Sequence, residues 1–282
     1  MGKRFKNTRV FITGASAGIG ASLAVAFARE GARVALAARR KEKLQAVKAR
    51  IDELGGESII VPCDVTSRHS IDAAVSKAVE TFGGLDIAVA NAGFGVSGVF
   101  TSLGTEDFRR QFDTNFFGLV DTIYAMLPHL RESKGQLVLV GSVLGRFGTP
   151  GSPAYGSSKF AVVGLAESIY YELADLGIAV TCINPGTVES DFRRTDNEGT
   201  FFPDREDYAP SWLRVPTDQA ARAMLKAIYA RKAEAVVTGH GRCLATFARH
   251  FPRTFRLIVR MATRGRVNAI DRLRGKPASS EP

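Results

Sequence analysis

Tyr155-Gly156-Ser157-Ser158-Lys159 sets a phenol and an amine four residues apart. On a helix that spacing puts both side chains on one face. A phenol with an ordinary pKa of ~10 is ionised in only about one molecule in a thousand at neutral pH. A neighbouring ammonium favours the phenolate, so the pair can exchange a proton near neutrality. Ser142 stands just past a short apolar run and can hydrogen-bond a substrate oxygen. A tyrosine and a lysine at this spacing also arise by accident on helix surfaces. The weight lies in what accompanies them.

Residues 13–20 read TGASAGIG, with Gly14, Ser16, Gly18, Ile19 and Gly20 between an apolar run and a helical stretch. Glycines there permit a tight turn and close approach of a ligand, and the following helix start offers free N–H groups to a pyrophosphate. The spacing is GxxxGxG rather than GxGxxG, so a purely structural turn is the plain alternative. The second apolar run ends at Arg39-Arg40, where an acid would mark the ribose hydroxyl of NAD. Guanidinium suits a phosphate, so NADP(H) is favoured over NAD(H); solvated charges at a helix start are the other reading. Asp64-Val65 and Asn91-Ala92-Gly93 follow two further runs. Asp64 could accept from an adenine amino group or simply cap a helix. Asn91-Ala92-Gly93 is a corner of small residues against which a cofactor can lie.

The elements that must position these groups are short β-branched runs at 8–13, 33–38, 58–63, 86–90, 136–141, 178–183 and 235–238. Helical stretches at 18–30, 41–54, 67–82, 105–130, 154–176 and 217–231 lie between them. Thr66 and Ser67 can cap the third helix, which Gly83-Gly84 ends. This alternation predicts an α/β fold: one doubly wound, Rossmann-type domain with a seven-stranded, mostly parallel sheet and helices on both faces. Residues 1–240 form that domain, and 241–282 form a basic helical extension.

The 282 residues carry a net charge of +10, unevenly placed. Residues 240–282 hold ten Lys/Arg against two acids, or +8, leaving +2 for the rest. The aromatics in 241–266 fall at helical spacing around Pro252, so an amphipathic helix resting on an anionic membrane is one reading. Packing on the body or on a partner subunit is the other. Nucleic acid is not expected, since these aromatics are not interleaved for base stacking. Three scattered cysteines and four histidines without ligand spacing argue against a metal and fit a reducing, cytoplasmic setting. Neither a signal peptide nor a membrane span is expected.

Taken together, TGASAGIG, NAG at 91–93, Ser142 and Tyr155–Lys159 resemble the short-chain dehydrogenase/reductase (SDR) family over roughly residues 7–240. The family's NNAG corner has Ala90 here in place of its first Asn, and Pro185-Gly186-Thr187-Val188-Glu189-Ser190 resembles its segment beside the nicotinamide, with Ser190 for Thr. The resemblance implies a catalytic set of Asn115, Ser142, Tyr155 and Lys159. Tyr155 would act as general acid/base and Ser142 would position the carbonyl oxygen. Lys159 would hold the nicotinamide ribose, and Asn115 would support a water in a proton path from Lys159. Cofactor contacts would come from Gly14, Ser16, Gly18, Ile19, Gly20, Arg39, Arg40, Asp64, Val65, Asn91, Ala92, Gly93, Tyr155, Lys159, Pro185, Gly186 and Val188.

The implied activity is NADP(H)-dependent interconversion of a carbonyl and a secondary alcohol (EC 1.1.1.-) by a homo-dimer or homo-tetramer. A substrate lid would span about 190–215. Its aromatics Phe192, Phe201, Phe202, Tyr208 and Trp212 would form one side of the pocket and Phe94, Val96, Leu144 and Phe147 the other walls, which suggests either a lipophilic substrate or simple packing of the lid. The competing functions are a non-catalytic NADP(H)-binding regulator and a membrane-surface scaffold.

Overall fold

The computed structural model describes residues 3–189, 197, 202 and 210–264. Seven strands form one sheet: β1 (Arg9–Thr13), β2 (Arg33–Ala38), β3 (Glu57–Pro62), β4 (Ile87–Ala90), β5 (Gln136–Val140), β6 (Ala179–Asn184) and β7 (Glu234–Val236). Their order is β3-β2-β1-β4-β5-β6-β7, and every pairing is parallel. The expected strands are present, each within a residue or two of its expected ends.

Strand side chains alternate between two cores, as the pleat requires. Phe11, Leu137 and Leu139 enter the core on one face; Val10, Ile12, Val138 and Val140 enter the other. Both faces are covered, which is why the strands read as unbroken apolar runs. Helices α1 (Gly18–Arg29), α2 (Lys41–Asp52) and α7 (Thr217–Tyr229) close one face. Helices α3 (Arg68–Phe82), α5 (Gly118–Ser133) and α6 (Pro153–Ala174) close the other. Ser67 caps α3 by accepting from the Ser70 N–H at 3.3 Å, and Gly83 ends it in the left-handed region at φ 75°.

The expected helix over 105–130 is broken. Helix α4 (Thr105–Phe112) passes into a π turn at Asp113–Phe117 before α5 begins. Such turns insert an extra residue and shift the phase of the next helical segment. Here the turn holds Asn115, wholly enclosed. Helix α5 then starts at Gly118, where a Cβ would stand 2.6 Å from the Val65 carbonyl oxygen.

Beyond β7, α8 (Gly239–His250) and α9 (Pro252–Thr263) break at Phe251, next to Pro252. Ala248 and Phe255 bury against Val143 and Phe147, with Phe147 and Phe255 ring centroids 5.0 Å apart. This part of the extension therefore packs on the body. Residues 265–282 lie outside the described residues. Among those described, no helix is long and apolar enough to cross a membrane.

The sheet's amino edge is tied by Asp86, which accepts from the Arg9 backbone N–H at 2.8 Å, from Nε at 2.9 Å and from Nη2 at 2.6 Å. Burial resists ionisation of Asp86, but the bonds from Arg9 outweigh it and hold the carboxyl below the usual aspartate value. Its stabilisation is complete above the unfolded pKa of about 3.9 and is lost as pH falls through the lower folded value. Asp86→Asn should therefore flatten the loss of stability below about pH 4, read as urea midpoints against pH. An acid limb as steep as wild type would contradict this.

Candidate active site

In an open parallel sheet the carboxyl ends of the strands face one crevice, at the point where strand order reverses. That point lies between β1 and β4. The glycine loop follows β1, Asn91-Ala92-Gly93 follows β4, Ser142 follows β5 and Pro185-Gly186 follows β6. Four adjacent strands thus deliver four candidate segments to one edge.

The glycine loop is fitted to the corner after β4. Gly14 adopts φ 67°, and a Cβ there would stand 2.8 Å from Ala92 Cα. A Cβ on Gly20 would run into the Gly14 carbonyl and stand 2.6 Å from Asn91 Nδ2. Asn91 donates from that amide to the Thr13 carbonyl at 2.9 Å. The Thr13 hydroxyl accepts from the N–H groups of Asn91 and Ala92 at 3.0 and 3.1 Å. Helix α1 opens on Ala17, which offers no side-chain cap, and its first turn holds no acid. Its leading N–H groups are left for an external acceptor, and an anionic pyrophosphate meets both this chemistry and the glycine-lined space. The Arg40 guanidinium donates to Ser16 Oγ at 3.2 Å, which joins the end of β2 to this loop, while Arg39 is exposed.

Asp64 is used locally. Its Oδ1 accepts from the Thr66 N–H at 3.0 Å and the Thr66 hydroxyl at 2.8 Å. Burial raises its pKa, but those two bonds and the charge of Arg39 leave it below the ordinary value. These bonds close a turn ahead of α3, whose cap is Ser67, so Asp64 caps no N–H of that helix; Val65 is buried beside it.

Ser142 is pinned on both sides. Gly141 N–H donates to Ile183 O at 2.8 Å and Val143 N–H to Pro185 O at 3.0 Å, so the β5–β6 pairing continues past the serine. Its Oγ accepts from the Leu144 N–H at 3.2 Å. A Cβ on Gly145 would stand 2.6 Å from the Lys159 carbonyl oxygen, so this segment presses directly on α6. Tyr155 lies half-buried in the first turn of α6, and Lys159 comes one turn later. Lys159 Nζ sits 5.9 Å from the centroid of the Tyr155 ring and donates to Val140 O at 2.8 Å. Burial pushes the Lys159 amine down to about 8. It remains mostly protonated at pH 7, while poised to titrate within a unit or so.

Asn115 is locked by three bonds. Its Oδ1 accepts from the Phe94 N–H at 3.0 Å, and its Nδ2 donates to Phe94 O at 3.0 Å and to Ser158 Oγ at 3.3 Å. The Ser158 hydroxyl donates to the Tyr155 carbonyl at 2.8 Å. One chain of bonds therefore joins the π turn to the helix bearing Tyr155 and Lys159.

Several positioning residues escaped the sequence reading. Thr13 directly precedes the loop and could have been found from that. Gln111, one turn before Asn115, also grips the Phe94 segment through Val96 N–H at 2.6 Å and Phe94 O at 2.8 Å. His240 accepts from Thr187 N–H at 3.2 Å. It left no local signal, because only the β6–β7 pairing brings it beside the Pro185–Val188 segment. Burial lowers the His240 pKa and keeps that acceptor neutral. Of the expected apolar walls, Val96 is fully buried and Phe147 is taken up against Phe255; Phe94 and Leu144 remain partly exposed. Among the lid residues, Ser190, Phe192, Phe201 and Tyr208 lie outside the described residues. Trp212 is 80% exposed, and Asn197 clasps the Ser97 backbone through two 2.9 Å bonds.

Residues 8–200 match the family described as short chain dehydrogenase. The chain belongs to that family. An uncharacterized oxidoreductase of Bacillus subtilis, YxnA, is 33% identical over 255 residues, covering 89% of this chain and 71% of that one. A short-chain type dehydrogenase/reductase from Mycobacterium marinum superposes with a TM-score of 0.76 at 29% identity, over 85% of this chain and 97% of that one. An SDR from Burkholderia phymatum, solved in complex with NAD, superposes with a TM-score of 0.79 at 22% identity, over 89% and 96%. The chain is thus an SDR-type oxidoreductase, from a family that binds nicotinamide cofactors.

Two outcomes test the geometry itself. Thr13→Val removes an acceptor shared by two N–H groups and should destabilise the fold by about 1–3 kcal/mol in urea titration. A change under about 0.5 kcal/mol would contradict it. Lys159→Met should change the alkaline limb. Between the folded value of about 8 and the unfolded value of about 10.4, the unfolded lysine holds the extra proton, so rising pH favours the fold. Burial raises Cys63 to about 11 and Cys182 to about 12, an opposite effect that both proteins share. The wild-type minus variant stability difference should therefore climb from pH 8 to 10, and a flat difference would refute the buried ammonium.

Proposed function

We propose that this SDR is an NADP(H)-dependent oxidoreductase that interconverts a carbonyl and a secondary alcohol, with Tyr155 as the general acid/base. The observation that carries the reading is the Lys159 ammonium, enclosed 5.9 Å from the Tyr155 ring, at the same sheet edge to which β1 and β5 deliver the glycine loop and Ser142. A bound nicotinamide would supply the hydride chemistry. The protein's part is the proton. Tyr155 gives its hydroxyl proton to the carbonyl oxygen during reduction and takes it back during oxidation. Ser142 donates a hydrogen bond to the same oxygen and fixes it within reach of the phenol. The Lys159 charge favours the phenolate and holds the ribose hydroxyls. Asn115 keeps the Phe94 segment and α6 in register and supports a water in a proton path from Lys159.

Gly14, Ser16, Gly18, Ile19 and Gly20 would hold the pyrophosphate, and Asp64 and Val65 the adenine end. Asn91, Ala92 and Gly93 would hold the ribose, and Pro185, Gly186 and Val188 the nicotinamide end. Arg39 and Arg40 favour a 2′-phosphate, since Arg40 already reaches the loop at Ser16 and no acid stands at the end of β2. The partly exposed Phe94 and Leu144 suit a lipophilic substrate. Phe117 on the π turn, Tyr124 on α5 and Tyr171 on α6 are exposed aromatics that suit a homo-dimer or homo-tetramer. A regulator that only binds cofactor has no use for a tyrosine backed by an enclosed ammonium.

Oxidation of NADPH and NADH across ketones, aldehydes, quinones and steroids tests the assignment. NADPH should be preferred, with the highest kcat/KM on apolar carbonyls. Arg40→Ala should raise KM for NADPH by about tenfold or more and leave NADH almost untouched. No turnover on any carbonyl would favour the regulator. Equal loss with both cofactors would refute the role of Arg40.

A further inference from the structure

Helix α9 has three faces, and the reaction proposed above uses none of them. At 3.6 residues per turn, Phe255, Val259 and Thr263 share the inward face, where Phe255 and Val259 join the cluster with Val143 and Phe147. Arg253, Arg256, Arg260 and Arg264 fall within an arc of roughly 80° beside it. Leu257, Ile258 and Met261, with the exposed Thr254 among them, occupy the outward arc of roughly 100°. Large apolar side chains on a helix's solvent face call for a partner. Leu257 is 56% exposed, Ile258 49% and Met261 67%. At the hairpin corner Phe251 is 58% exposed, and Leu244 on α8 is 41% exposed.

Charge decides what covers this face. Residues 239–264 contain six arginines and no acid. A second copy seated on the stripe would set arginine rows against each other with nothing in the hairpin to neutralise them. Residues 265–282 are themselves net basic, with Arg266, Arg272, Arg274 and Lys276 against Asp271 and Glu281, so they supply no complement. Nucleic acid would satisfy the arginines but leave Leu257, Ile258 and Met261 wet, since aliphatic side chains offer no stacking surface. An anionic bilayer satisfies both at once. Its headgroups pair with guanidinium, and the acyl boundary takes the apolar stripe.

We infer that the α8–α9 hairpin is a peripheral docking surface for an anionic lipid membrane, with Leu257, Ile258 and Met261 inserted and Arg253, Arg256, Arg260 and Arg264 at the headgroups. The inner face of the same hairpin rests on Val143 and Phe147, just after Ser142. Docking therefore fixes the orientation of the body through residues next to the candidate active site.

The test is co-sedimentation of the full chain with phosphatidylcholine vesicles, with and without phosphatidylserine. Strong binding to the mixed vesicles only, at least about tenfold weaker in 0.5 M NaCl, is expected. Leu257→Ser/Met261→Ser and Arg253→Gln/Arg256→Gln/Arg260→Gln should each weaken it about tenfold or more. These positions face solvent, so circular dichroism and any oxidoreductase activity should match wild type. Absence of binding, unchanged binding in the Leu257/Met261 variant, or a change in oligomeric mass in that variant would each overturn the inference. None of these results bears on the reaction at Tyr155.

Discussion

An ammonium enclosed at the carboxyl edge of a sheet is costly to desolvate, and the surroundings of Lys159 are arranged around that cost. One of its protons goes to the Val140 carbonyl, where β5 gives way to the serine segment. Gly145 has no side chain to push that segment away, so the backbone after Ser142 lies against the Lys159 backbone. Ser142 is held in turn by the continued pairing with Ile183 and Pro185. Move the amine, and the tyrosine, the serine and the segment after β6 lose their common reference.

A second set of bonds works from the other side of the crevice. Thr13, Asn91 and Gly14 weld the loop after β1 to the corner after β4. Asn115 and Gln111 then hold the Phe94 segment just beyond this corner. Most of these are buried or partly buried bonds between segments distant in sequence, the kind that preorganise a site rather than merely stabilise a fold.

Much of this was legible in the residues. The apolar strand runs gave the sheet, because a parallel sheet covered on both faces needs unbroken apolar stretches. Tyr155, Lys159 and the glycine loop announced themselves by local spacing, which a helix or a tight turn converts directly into geometry. The π turn was not legible: Asp113–Phe117 is compatible with an ordinary helix, and only the tertiary grip on Asn115 accounts for it. His240 was equally silent, since its partner Thr187 is distant in sequence and is reached only through the pairing of β6 with β7. Phe147 could not be sorted between a substrate wall and a packing role until Phe255 was seen against it. Periodicity marked the tail as amphipathic, but not that the helix would have two apolar faces, one docked and one open.

In the proposed reaction the hydroxyl of Tyr155, and no other group, carries the proton to the substrate oxygen. Tyr155→Phe removes that oxygen and leaves the ring that packs beside Lys159. With cofactor affinity measured by fluorescence titration, the variant should bind NADPH within about threefold of wild type while kcat on the best carbonyl falls by at least about a hundredfold. Turnover within a few-fold of wild type, with NADPH bound equally well, would contradict the role of the phenol.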